Sequence, residues 1–441
     1  METKTIETGL GKAIGIKEDD VLIFRGLPYA KTPRFEDPIM IDEWGGVFDA
    51  TKIEKDCPQE SAYMERKETF YNKEFRSDKE YDFAEDQVVL NIITKEGAKN
   101  LPVLMFIHGG GFENGTVGEL PYGLSKEYIK RDIILVNISY RLNVFGLFKS
   151  GNYLLKDMDM AIRWVKKHIG DFGGDGSRIT LIGQSAGAMS IVDLLYTQRL
   201  KGIVSGAIIM SGAGVIPKAV KLYDRNDAEA WWNIVRKEAQ CDSDEQLKKI
   251  SPKQLWEAWY KTKTTGYNIH TMMPGIDGEI IPELPQDLIK KDLDLDVPLI
   301  VGVTGQDMAA PLFFELGRQY LISRSSRKKS KVYGYFFDRT LPGNSYKCFH
   351  SADLWYMFGN MDKSWRPFEE IDYELKDRMI DYVANFVRSG DPNGNGLPKW
   401  QNVDRWHQRF RRFNGADDGH IGVSRMLSIT THNYLFEKGP M

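Results

Sequence analysis

The sequence predicts an α/β chain with a central, mostly parallel sheet flanked by helices, and three observations carry that reading. Short apolar runs alternate with amphipathic stretches, the pattern of strands joined by helical crossovers. Two of the runs end abruptly in glycine-rich turns, at residues 108–112 and 183–187. No repeat, low-complexity tract or Pro/Ser-rich linker divides the 441 residues, and α/β folds can place that length around one sheet. One domain is therefore expected over residues 1–441.

Taken in chain order, residues 11–16 and 21–25 read as an antiparallel pair at the sheet's edge. Residues 101–107 and 178–182 are apolar strands, and 188–195 is an apolar helix directly after the second glycine-rich turn. Residues 225–263 form a helical excursion rich in Trp231, Trp232, Trp256, Trp259 and Tyr260. Its aromatics are expected mainly to pack, although open α/β sheets bind ligands at the strand ends over which it would lie. A buried strand at 297–303, a helix over roughly 311–326 and a strand at 331–337 follow. A loop from 343 then opens into an amphipathic segment ending near 356.

The turn Gly183-Gln184-Ser185-Ala186-Gly187 lies between a strand and a helix, the order a nucleophile elbow requires. Glycine two residues either side of Ser185 leaves room for the strained serine, whose hydroxyl would project above the sheet at a helix N-terminus. The turn His108-Gly109-Gly110-Gly111-Phe112 suits an oxyanion hole, because a glycine run lets main-chain N–H groups approach a tetrahedral intermediate. The donors expected are the N–H groups of Gly110, Gly111 and Ala186. Together the two motifs point to acyl transfer by Ser185.

A triad on such a fold runs Ser, acid, His along the chain. Asp307 follows the 297–303 strand and is the expected acid; Glu315, its nearest rival, falls in the next helix. His350 lies in a loop able to reach both Ser185 and Asp307 and is the expected base. His407, His420 and His432 occur in polar C-terminal sequence, His168 ends a helical run, and His108 would brace its glycine turn.

The net charge of −3 gives no reason to expect nucleic acid or an anionic membrane. The basic run 324–329 reads as a solvated helix end. No apolar run approaches the length of a membrane span, and no basic, apolar leader opens the chain. Cys57, Cys241 and Cys348 lack metal-ligand spacing. Cys348 lies two residues from His350, but the elbow and the oxyanion turn belong to Ser185. No metal or organic cofactor is implied.

The chain resembles the type-B carboxylesterases, whose fold is the α/β-hydrolase fold. The likeness runs nearly end to end, through residues 24–30, Glu85-Asp86, 108–112, Ser139 to Asn143, 172–175, 183–188, 353–359 and Gly390 to Gly394. It implies Ser185 as nucleophile, Asp307 as acid and His350 as base, with Ser211 supporting the acid and the histidine. It also implies structural ion pairs between Arg34 and Glu85 and between Arg141 and Asp157. Gln184 stands where the family usually has glutamate, and Asp307 where glutamate is commoner. Secreted relatives pair a cysteine matching Cys57 with one at the place of Gln87, so that bridge cannot form here and a reducing cytoplasm is expected. In larger relatives a long helical insertion between acid and base walls the site; the short interval here implies a reduced cap and an open site. The expected function is serine carboxylesterase action on small-molecule neutral esters. A specialised amidase, lactonase or feruloyl esterase is the alternative, and an inactive esterase-like binding protein the more distant one.

Overall fold

Parallel strands need long crossovers, and this sequence spaces its apolar runs accordingly. The computed structural model describes residues 2–52, 55–64, 69–76, 82–149, 151–212, 225–264, 273–307, 310–343, 346–416 and 418–436. Its main sheet has 14 strands, two of them short and off the principal path. On that path are β1 (Glu2–Thr8), β2 (Gly11–Glu18), β3 (Val21–Lys31) and β4 (Gln87–Lys95). Then come β5 (Leu101–Ile107), β6 (Ile134–Ile138), β7 (Gly174–Gln184) and β8 (Val204–Met210). The last are β9 (Leu299–Thr304), β10 (Val332–Phe337), β11 (Arg409–Phe413) and β12 (His420–Gly422). They lie in the order β1-β2-β3-β4-β6-β5-β7-β8-β9-β10-β11-β12. From β6 to β11 all neighbours are parallel, with antiparallel strands at both ends.

The expected antiparallel pair is formed by β2 and β3, but it is not the edge. The polar strand β1 covers it, pairing Glu2 with Lys17 through to Thr8 with Gly11. Only one large apolar residue, Ile6, lies in β1, so no hydrophobic alternation announces it.

Alternate residues of the central strands feed two cores. Val103, Met105 and Ile107 face one, with α1 (Tyr153–His168), α2 (Ala186–Leu195) and α5 (Ala310–Arg327). Leu104 and Phe106 face the other, with α6 (Leu354–Phe358) and α7 (Glu370–Ser389). Burial on both faces explains why these strands read as continuous apolar runs. The excursion contains α3 (Arg225–Glu238) and α4 (Pro252–Thr264), whose Trp231, Trp232, Trp256 and Trp259 are all buried. Trp232 packs edge-on to Phe35 and Phe148. Truncating a buried tryptophan costs roughly 3–5 kcal/mol, so these rings hold the excursion to the body.

Both ion pairs implied by the resemblance are present. Arg34 grips Glu85 through Nε at 2.8 Å and Nη2 at 2.7 Å, and Arg141 grips Asp157 at 2.9 and 2.7 Å. The basic run is not a solvated helix end. Arg324 is fully buried, 2.7 Å from Asp294, and Arg327 and Lys328 also reach Asp294 at 2.8 and 3.2 Å. Its acidic partners lie some thirty residues upstream, beyond any local pattern.

Candidate active site

Ser185 joins β7 to α2 with φ 53° and ψ −123°, a sparsely populated conformation that costs roughly 1–3 kcal/mol and needs support from its surroundings. Support comes from the glycine two residues on. A Cβ at Gly187 would lie 2.5 Å from the His108 carbonyl oxygen and closer still to that of Ile107, so only glycine lets α2 seat against the end of β5. Gly187→Ala is therefore expected to lower stability by about 2 kcal/mol or more and to abolish most esterase activity. Thermal melting beside nitrophenyl acetate hydrolysis checks it; a variant matching the unsubstituted chain in both would contradict the packing argument.

The same contact sets the elbow against the glycine-rich turn. Gly110 has φ 101° and Gly111 φ 65°, and the Gly110 carbonyl accepts from Glu113 and Asn114 N–H at 3.1 and 3.0 Å. Among the described residues, the N–H groups of Gly110, Gly111 and Ala186 donate to no protein acceptor. His108 sits beneath, its Nδ1 2.9 Å from the Gly109 carbonyl and its ring stacked on Tyr140. Burial pulls His108 down to about 4, which keeps it neutral and fits a brace.

Asp307 and His350, 43 residues apart, meet directly: Asp307 Oδ1 is 2.5 Å from His350 Nδ1. Burial opposes the imidazolium, but the Asp307 charge and hydrogen bond outweigh it and leave His350 above the ordinary histidine value. The other carboxylate oxygen, Oδ2, accepts from Thr304 Oγ1 at 3.2 Å and Thr304 N–H at 3.4 Å. Gln306 clips the two loops together: its N–H donates to the Cys348 carbonyl at 3.0 Å, and its Oε1 accepts from Lys347 N–H at 2.9 Å. Glu315, the rival acid, pairs with Arg318 at 2.5 Å.

Among the described residues His350 Nε2 makes no hydrogen bond to the serine hydroxyl. Its partner is Gln184 Nε2 at 3.1 Å, and among the described residues the Ser185 hydroxyl makes no hydrogen bond. Ser211, with φ 50°, has a buried hydroxyl that bonds neither Asp307 nor His350 among those residues; Thr304 bonds the acid instead. Behind the histidine, burial pushes the Asp353 carboxyl up to about 6 although the Tyr335 hydroxyl donates to it at 2.6 Å. Sequence reasoning missed Thr304, Gln306 and Asp353. A hydroxyl three residues before the acid was the available signal for Thr304.

The remaining candidates fall away from chemistry. Burial pushes the Cys348 thiol up to about 12, so it stays protonated. His407 is exposed beside Asp404, and His420 accepts from Gln401 N–H at 3.3 Å. Among the described residues, no group of three or more His, Cys, Asp or Glu side chains could hold a metal ion, and no helix is long and apolar enough to cross a membrane.

Comparisons with known proteins place the chain in a family. The sequence profile of the carboxylesterase family matches residues 2–326 and 306–418. The para-nitrobenzyl esterase of Bacillus subtilis is 28% identical over 480 residues, covering 93% of this chain and 94% of the relative. Human cocaine esterase is 27% identical, covering 92% and 86%. A solved para-nitrobenzyl esterase superposes with a TM-score of 0.84 over 97% of this chain and 99% of that one, at 23% identity. A carboxylesterase from Geobacillus stearothermophilus gives 0.77 at 25% identity, over 96% and 99%. The chain belongs to the carboxylesterase family, as a carboxylic ester hydrolase with the α/β-hydrolase fold.

Proposed function

We propose that Ser185, His350 and Asp307 form the catalytic triad of this esterase, with Gly110, Gly111 and Ala186 as its oxyanion hole. The observation that carries the reading is the 2.5 Å contact between Asp307 and His350 beside a strained serine elbow. His350 takes the Ser185 proton through Nε2 as the oxygen attacks the ester carbonyl. The three N–H groups hold the oxyanion, and the imidazolium protonates the departing alcohol. Water then repeats the sequence on the acyl-enzyme, returning the acid and free Ser185. Asp307 keeps the Nδ1–H tautomer throughout.

The substrate reading is a neutral carboxylic ester with a bulky or branched acyl or alcohol group. Gly111 is exposed, Ser185 half-buried, and the His350 side chain 16% exposed, all of which support an open, shallow site. A reducing cytoplasm is the proposed compartment, supported by free, buried Cys57, Cys241 and Cys348. Steady-state kinetics on nitrophenyl esters from acetate to octanoate, a bulky aryl ester, an anilide and a lactone test the activity. The expected result is turnover of every ester, the bulky one within tenfold of acetate. A higher kcat/KM for the anilide or the lactone would overturn the ester assignment, and failure on the bulky ester alone would overturn the open site.

A further inference from the structure

We infer that Gln184 is a positioning residue that latches the base of the free enzyme, holding His350 Nε2 until Ser185 takes its place. The inference rests on the triad reading above.

Gln184 is the last residue of β7 and is 3% exposed. Its amide is wedged between the oxyanion turn and the histidine. A Cβ at Gly109 would stand 2.6 Å from Gln184 Oε1, while Nε2 lies 3.1 Å from His350 Nε2. With Nδ1–H donated to Asp307, the imidazole offers only a lone pair at Nε2, and an amide N–H is the group that can be held against it. That lone pair is the one that must receive the Ser185 proton. Both ring nitrogens are therefore occupied by fixed partners, while the serine hydroxyl has none among the described residues.

The latch has a chemical consequence that a packing role lacks. Protonation of Nε2 breaks its bond from the amide, so Gln184 favours neutral imidazole and holds down the proton affinity of His350. A glutamate here, as is common in the family, would do the reverse, because a carboxylate accepts from imidazolium and adds opposite charge within a few ångströms. The charged and titratable groups facing His350 are Asp307 from the acid loop and Asp353 at the start of α6, with Tyr335 of β10 bonded to Asp353. Asp307 and Asp353 are common to every Gln184 variant, so the difference between variants isolates the residue at 184.

The test compares pH profiles of kcat/KM for nitrophenyl butyrate in the unsubstituted chain, Gln184→Met and Gln184→Glu. Each is repeated in an Asp353→Asn background, because coupled groups titrate as a set. A fluorophosphonate label mapped by peptide analysis accompanies each protein. The acid limb is expected to rise in the order Gln, Met, Glu, with Gln184→Glu higher by about 1 unit or more. Near the limb this is roughly a tenfold loss at fixed pH. Superimposable limbs, or a reversed order, with the label on Ser185 would overturn the latch and leave the triad standing. Label elsewhere than Ser185 would overturn the triad, and the latch with it. Gln184→Met keeps the length of the side chain and decides the case if Gln184→Glu does not fold.

Discussion

Ser185→Ala and, separately, His350→Ala should each lower kcat for nitrophenyl acetate by about 10⁶ while leaving the protein folded. The two losses should be nearly equal and should not multiply in the double variant. Nucleophile and base act as one unit: without the imidazole the hydroxyl is a poor nucleophile, and without the hydroxyl the imidazole has no proton to take. Residual rate over water should survive in both, because the N–H groups of Gly110, Gly111 and Ala186 are backbone and remain. Ser185 also carries strain at φ 53°, but removing its hydroxyl takes away no hydrogen bond to a described residue, so melting should change little. Single-turnover and steady-state rates of the three variants check this. A double variant far slower than either single one would show independent roles.

Asp307→Asn should cost about 10⁴ in kcat, by analogy with the same change in another serine hydrolase. The reason here is local. The Thr304 hydroxyl and N–H both donate towards Oδ2 of Asp307. An asparagine would therefore put its carbonyl oxygen there and turn its NH₂ towards His350 Nδ1. That amide can only donate to Nδ1, which drives the ring proton to Nε2 and removes the lone pair needed by Ser185. The loss should come almost wholly in kcat, with little change in the apparent affinity for substrate. An Asp307→Asn protein within tenfold of the unsubstituted rate would contradict this account of the acid.

How much of this was legible in the sequence follows from how local each feature is. The elbow at Ser185 and the turn at Gly109 to Gly111 depend on a few adjacent residues, so strand, turn and helix could be read in place. Asp307 and His350 were legible as types after a strand and in a loop, but their contact was not. It is supported by Gln306, which hydrogen-bonds Lys347 and Cys348 some forty residues on. Gln184 was legible only as a departure at a known position; its hold on Nε2 spans 166 residues. The polar strand β1 had no apolar face to read, and the basic run at 324–329 concealed its partners Asp292 and Asp294. Apart from β1, which pairs with the next strand in the chain, what sequence could not supply was a polar contact between distant segments, which carries no periodicity.

The most direct measurement of the central claim is stoichiometric labelling of the whole chain with a fluorophosphonate, followed by peptide mapping and loss of esterase activity. The triad predicts one label per chain, on Ser185, with activity falling in proportion and no reaction in Ser185→Ala. Full activity in a protein labelled at Ser185, or a label on another residue that tracks the loss, would contradict it.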